Sequence, residues 1–163
     1  TDDPRLDVRD TEIHLLRQPL RVVADSGLRI PIRAAMFDVG GEVQIFHTTG
    51  STEREQELSA RGVLSQRLQG ANGRVNPGAM LDALGKAGCN RLLVEAGPTL
   101  NGALLAAGLV DEIIVYQSAR VMGADARGMF AIEPITQMQD LIQLKLIDVR
   151  HLGDDLRLTY RMA

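Results

Sequence analysis

Residues 91–116, RLLVEAGPTLNGALLAAGLVDEIIVY, read as a buried strand, a glycine turn, a helix and a second buried strand. The first strand rests on Leu92, Leu93 and Val94 and ends on Glu95, an acid that a purely structural parallel strand has no reason to carry at its carboxyl end. Gly97 lets the backbone turn tightly, Pro98 suits the first helical turn, and Leu100, Leu104, Leu105 and Leu109 supply an apolar helix face. A helix opened this way points free N–H groups and a partial positive charge beyond the sheet, which is a place to hold a phosphate. The bland alternative is a plain strand-to-helix turn, and the pattern alone leaves both open.

Outward from this stretch, LRVVAD at 20–25 reads as a short strand ended by Ser26-Gly27, and EVQIFHT at 42–48 as another. Ser51 or Thr52 caps a charged helix through about Ala60, with a brief extended piece near Val63. Asn76 caps a second helix whose apolar side is Met80, Leu81 and Leu84 and whose stop is Gly88. Strand 91–95, helix 98–107 and strand 110–119 then complete a β-α-β-α-β alternation. LIQLKLIDVRHL and DDLRLTYRM flank Gly153-Asp154 as an antiparallel hairpin closing one edge. The expectation is a single α/β domain over 1–163: three layers, α/β/α, with a mostly parallel sheet and a C-terminal antiparallel hairpin.

In open α/β sheets ligands lie beyond the carboxyl ends of the strands, which makes Asp25-Ser26-Gly27, Glu95 through Gly102 and Met122-Gly123-Ala124 the candidate turns. Gly97 and Gly102 would let a pyrophosphate approach the backbone, with Thr99 and Asn101 as side-chain donors. No G-x-G-x-x-G follows an early strand, which disfavours an ordinary Rossmann dinucleotide domain.

Composition bounds the reading. With 163 residues, 45% hydrophobic and 24% charged, the chain holds about one domain's core. The single Cys89 excludes a disulfide framework, suits a reducing cytoplasm and reads as a small packed thiol. No signal peptide or membrane-length apolar run is visible, and a net charge of −3 with few aromatics gives no nucleic-acid footprint. His14, His47 and His151 lack metal-ligand spacing and read as surface or turn histidines, so no metal site is expected.

EAGPTLNGALLAAGLVDEI at 95–113 resembles the reductase domain of the bifunctional riboflavin-biosynthesis deaminase/reductase. DDPRLDVR at 2–9, PLRVVADSGLRI at 19–30, VMGADARGMF at 121–130 and DVRHLGDDLRLTYR at 148–161 resemble that family's segments in the same order, so the likeness covers nearly the whole chain. It implies a dihydrofolate-reductase-like fold and NADPH as cofactor. By the same resemblance, Asp2, Ser26 and the turn Gly97, Pro98, Thr99, Leu100, Asn101, Gly102, Ala103 are the cofactor contacts. Leu6, Arg9 and Glu95 are its substrate contacts, with Arg9 suited to a sugar phosphate and Glu95 to ring N–H groups or hydroxyls. Arg29, three residues after Ser26, is not carried by any motif; next to Ser26 it could neighbour the adenosine 2′-phosphate, although an exposed loop arginine is usually just solvated.

The family usually has Gly where this chain has Ala96, which fits only if that residue avoids positive φ. Asp125 is an added acid in the 121–130 run and should face solvent. Asp2-Asp3-Pro4 matches the middle of the family's reductase domain, so the fold is expected to lack its N-terminal strand and helix, to turn over poorly by itself and to associate as a homo-oligomer. By the same resemblance a zinc-dependent deaminase, and with it zinc, is expected only upstream of this sequence, since neither His-x-Glu nor Pro-Cys-x-x-Cys occurs here. The implied reaction is reduction of the ribosyl side chain of 5-amino-6-(5-phosphoribosylamino)uracil, with Asp3, Glu95 or a missing group as proton donor. The alternatives are a reductase of the diamino-pyrimidinone analogue, a dihydrofolate reductase sharing only the fold, and a non-catalytic nucleotide-binding or assembly domain.

Overall fold

The computed structural model describes residues 3–9, 12 and 17–163. They form two compact units, divided after Cys89. In the first, β1 (Arg21–Ala24), β2 (Val43–His47) and β3 (Leu64–Arg67) make a parallel sheet in the order β1-β2-β3. β2 is central and apolar on both faces: Val43 and Ile45 join Leu28, Ala34, Met36, Leu58 and Val63 in one cluster, while Phe46 is buried on the opposite side. Helix α1 (Thr52–Ala60) provides the crossover from β2 to β3, and its Leu58 is fully buried.

Of the two candidate caps for α1, Ser51 serves, its Oγ accepting the Arg54 N–H at 3.3 Å. A small hairpin, β4 (Gly70–Ala71) and β5 (Arg74–Val75), leads to α2 (Pro77–Lys86). Asn76 Oδ1 caps α2 through the Ala79 N–H at 3.0 Å, Pro77 takes the first helical position, and Gly88 at φ +86 ends it with Cys89 N–H returning to Leu84 O. Both ends of α2 are where the sequence puts them.

The second unit opens with α3 (Pro98–Ala106), stopped by Gly108 at φ +65. β6 (Glu112–Gln117), β7 (Leu144–Leu152) and β8 (Asp155–Met162) form an antiparallel sheet in the order β6-β8-β7, with β7 and β8 joined at Gly153-Asp154 as expected and a bulge between Leu146 and Asp148. The fold is α/β, with a parallel sheet and a C-terminal antiparallel hairpin. One expected element differs: residues 91–97 carry no strand. A strand requires a ladder partner as well as an apolar run, and Leu93 and Val94, with none among the described residues, stand 71% and 39% exposed. Among the described residues no helix is long and apolar enough to cross a membrane.

Candidate functional site

Beyond the carboxyl end of β1 the chain makes a turn, Asp25–Ile30, in which nearly every polar group is engaged. The Asp25 carboxylate accepts the N–H groups of Gly27 (3.3 Å) and Ile30 (2.7 Å), and Leu28 N–H returns to Asp25 O at 3.1 Å. The Ser26 carbonyl accepts both the backbone N–H and the hydroxyl of Thr48 and of Thr49, all at 2.9–3.1 Å. Ser26 Oγ accepts Val75 N–H at 3.0 Å, which leaves its own O–H to donate outward. Arg29 folds back over Gly27, its Cγ 3.6 Å from where a Cβ would lie; its guanidinium remains mostly exposed and 3.6 Å from Asp25. Ser26 and Arg29, the residues that the sequence suggested as neighbours of a phosphate, therefore share one hydrogen-bonded turn.

Next to this turn, Thr48, Thr49, Arg67 and Gly70 line an open depression of about 510 Å³. His47, the residue before Thr48, is 1% exposed and thus not the surface histidine expected from sequence. His47 Nε2 lies 3.4 Å from Glu55 Oε1, Nδ1 has no hydrogen-bond partner, and a Cβ on Gly50 would come within 3.0 Å of that nitrogen. Arg67 bridges Thr48 O, Gly50 O and Glu55. Burial lowers the His47 pKa, reinforced by Arg67 and opposed by Glu55 and Asp25. Its stabilising contribution is therefore full above the ordinary value of 6.5 and is lost as pH falls through the depressed folded value. We expect the urea midpoint to drop between pH 7.5 and 5.5, and His47→Gln to flatten that slope; an unchanged slope would assign it to other groups.

The expected substrate contacts Leu6 and Arg9 lie on the segment preceding β1. Leu6, at φ +50, packs against the apolar cluster. Arg9 is 80% exposed and pairs with Asp7 at 3.6 Å, as does Arg5 at 3.5 Å. Gln18 clamps the segment through both polar groups of Val8, and Asp3, at φ +43, accepts Ala35 N–H. Asp7, 93% buried between two arginines, went unnoticed in the sequence although the alternation of Arg5, Asp7 and Arg9 was there to be read. The cofactor assignment on Asp2 lies outside the described residues.

In the second unit, Glu95 is exposed and Ala96 has no positive φ, so alanine fits there. Gly97 corrects the sequence reading in an informative way. At φ −78 and ψ 175 it is the N-cap of α3 in an ordinary extended conformation, so no tight turn demands glycine. A Cβ there would meet no protein atom within 4 Å. What the glycine keeps open is space outside the chain. Pro98 has no N–H, and those of Thr99 and Leu100 precede the first helical acceptor, so the helix start presents donors and the positive end of its dipole beside that space.

Gly102 is the opposite case. A Cβ there would lie 2.3 Å from Ala131 O, because residues 129–131 cross over the helix and Ala131 N–H bonds Pro98 O at 2.9 Å. Its bare Cα admits protein backbone rather than a pyrophosphate. Asn101 is likewise occupied, its Nδ2 donating to Ala96 O at 3.0 Å and Met129 O at 3.4 Å. Both brace the helix start, and Thr99 remains the exposed side chain of that turn. Asp125 is exposed, as expected. Among the described residues no acidic, His or Cys cluster could hold a metal.

Comparison with known proteins identifies the family. The family described as RibD C-terminal domain matches residues 1–158. The riboflavin biosynthesis protein RibD of Escherichia coli is 37% identical over 94% of this chain, which spans 44% of that protein's length. The 2,5-diamino-6-ribosylamino-4(3H)-pyrimidinone 5′-phosphate reductase of Methanothermobacter thermautotrophicus is 35% identical over 98% of the chain and 73% of its own length. Acinetobacter baumannii RibD superposes over 99% of the chain and 44% of its own, with a TM-score of 0.82 and 31% identity.

Proposed function

Because the chain belongs to the RibD C-terminal domain family, we propose that it carries out the NADPH-dependent reduction of the ribosyl side chain of 5-amino-6-(5-phosphoribosylamino)uracil to the ribityl form in riboflavin biosynthesis. The supporting observation is Gly97: among the described residues no protein atom lies within 4 Å of where its Cβ would be, so beyond a mild N-cap preference the bare Cα serves best to admit a dinucleotide pyrophosphate at the start of α3. Ser26 and Arg29 fit the adenosine 2′-phosphate as a hydroxyl donor and a guanidinium on one turn. Bound NADPH would supply the hydride. The sugar–nitrogen linkage opens to an imine whose carbon accepts hydride while a proton reaches the nitrogen. In this reading Arg9 takes the sugar phosphate, Glu95 the pyrimidine N–H groups, and Leu6 an apolar edge.

The test is nicotinamide oxidation by the intact protein with the phosphorylated pyrimidine, followed by absorbance; no oxidation with tight NADPH binding would favour a non-catalytic nucleotide-binding domain. Arg9→Ala should raise the KM for the pyrimidine roughly tenfold or more, the loss of a charge-assisted contact worth about 1.5 to 3 kcal/mol, and leave NADPH affinity unaltered. Glu95→Gln should act in the same direction. Equal weakening of cofactor and pyrimidine by either change would overturn this division of roles. A second reading, favoured by the likeness to the archaeal reductase, is that the diamino-pyrimidinone is the substrate. The ratio of kcat/KM for the two pyrimidines decides between them.

A further inference from the structure

Leu28 carries a backbone conformation that its side chain opposes. Its φ of +51 lies in the left-handed region, which costs a residue with a Cβ roughly 1 to 2 kcal/mol. Such strain persists only where the surroundings over-determine it. Two features hold it. The Leu28 side chain, 2% exposed, occupies the space left by Gly50, where a Cβ would come within 2.2 Å of Leu28 Cδ1. Behind the turn, Arg54 of α1 spans the strained residue: its Nε donates to Leu28 O at 3.1 Å and its Nη2 to Ile30 O. The third edge of the guanidinium is fixed by Glu57 at 2.6 Å.

The planar fork of arginine reaches two carbonyls at once, which a lysine ammonium on its flexible stem does not reproduce. With the carboxylate of Asp25 gathering the N–H groups on the inner side, Arg54 gathers the carbonyls on the outer side. The conformation so imposed presents Ser26 Oγ and lays Arg29 across Gly27.

We propose that Arg54 is a positioning residue for coenzyme choice: it holds the Asp25–Ile30 turn in the strained form that recognises the 2′-phosphate, and so sets the preference for NADPH over NADH without touching either. This rests on the reading that Ser26 and Arg29 meet the 2′-phosphate. An over-determined turn costs nothing to order when the ligand arrives, so removing the clamp moves that cost into binding. NADH, lacking the phosphate, has no use for the turn.

The test is the affinity of the intact protein for NADPH, NADH and 2′,5′-ADP in the wild type, Arg54→Met and Arg54→Lys, with thermal melts as the control for folding. Arg54→Met should weaken NADPH and 2′,5′-ADP by roughly tenfold or more, as for one lost charge-assisted contact. NADH affinity and the pyrimidine KM should stay put, with Arg54→Lys intermediate. Equal loss of NADPH and NADH affinity, or no loss of either, would overturn the role of Arg54. A wild-type protein that does not prefer NADPH and ignores 2′,5′-ADP would instead remove the 2′-phosphate reading beneath it, and the inference with it. If Arg54→Met does not fold, the same comparison made on Arg54→Lys decides.

Discussion

Gly97→Val is expected to abolish NADPH binding, with affinity falling by about a hundredfold or more, while the melting temperature and helix content stay near wild type. The backbone at φ −78, ψ 175 is one that valine adopts freely and its Cβ would touch no protein atom, so the folded state loses only a better N-cap residue, about 1 kcal/mol or less. A bound pyrophosphate loses far more, because an isopropyl group fills its approach to the N–H groups at the start of α3. Gly102→Ala is the matched control with the opposite signature. There the added methyl meets Ala131 O at 2.3 Å, forcing backbone apart and costing roughly 1 to 3 kcal/mol of stability. Calorimetric titration with NADPH and thermal melts on the two variants separate the effects. Unchanged NADPH affinity in Gly97→Val would sink the anion site; a Gly102→Ala melt like wild type would sink the brace.

The two glycines also mark the boundary of what was legible. In sequence they are equivalent, each an unencumbered Cα near a helix start. They differ only through Ala131, a contact distant along the chain that no local pattern encodes. Elements governed by local chemistry were readable: the Ser51 and Asn76 caps, the Gly88 stop and the Gly153-Asp154 hairpin all follow from side-chain acceptors and glycine φ within a few residues. The run at 91–95 was readable as apolar but not as a ladder, since pairing depends on a neighbour rather than on its own residues.

Some of what was missed did leave a signal. Period-two alternation in β2 puts His47 on the face of Val43 and Ile45, and Arg54 stands one helical turn before the buried Leu58. Polar residues on an apolar stripe are where buried networks should be sought. Their partners remain invisible in sequence, because Arg54 reaches residues 28 and 30, which only the crossover brings near.

Arg21 is the extreme instance, and the largest stability effect is expected there. It begins β1 opposite Val43 and is only 2% exposed, although among the described residues it makes no ion pair. Its charge is met by carbonyls: Nη1 donates to Met36 O at 2.8 Å, and Nη2 to Val39 O, Gly40 O and Gly41 O at 2.9–3.0 Å. One guanidinium thus ties together the excursion between β1 and β2 and supplies the donor for the buried Met36 carbonyl. Arg21→Met keeps the apolar stem but leaves the buried Met36 carbonyl without its donor, and losing a buried hydrogen bond from a charged group costs about 1.5 to 3 kcal/mol. Against a total stability on the order of 5 to 15 kcal/mol, that is a large fraction and should lower the urea midpoint clearly. Arg21→Lys should recover little, since one ammonium cannot span acceptors disposed around a planar fork. Because β1 leads directly into the Asp25–Ile30 turn, saturating NADPH should raise the melting temperature of Arg21→Met by mass action. Urea unfolding with and without NADPH measures both effects, and a loss below about 1 kcal/mol, the range of an ordinary surface contact, would show the latch to be dispensable.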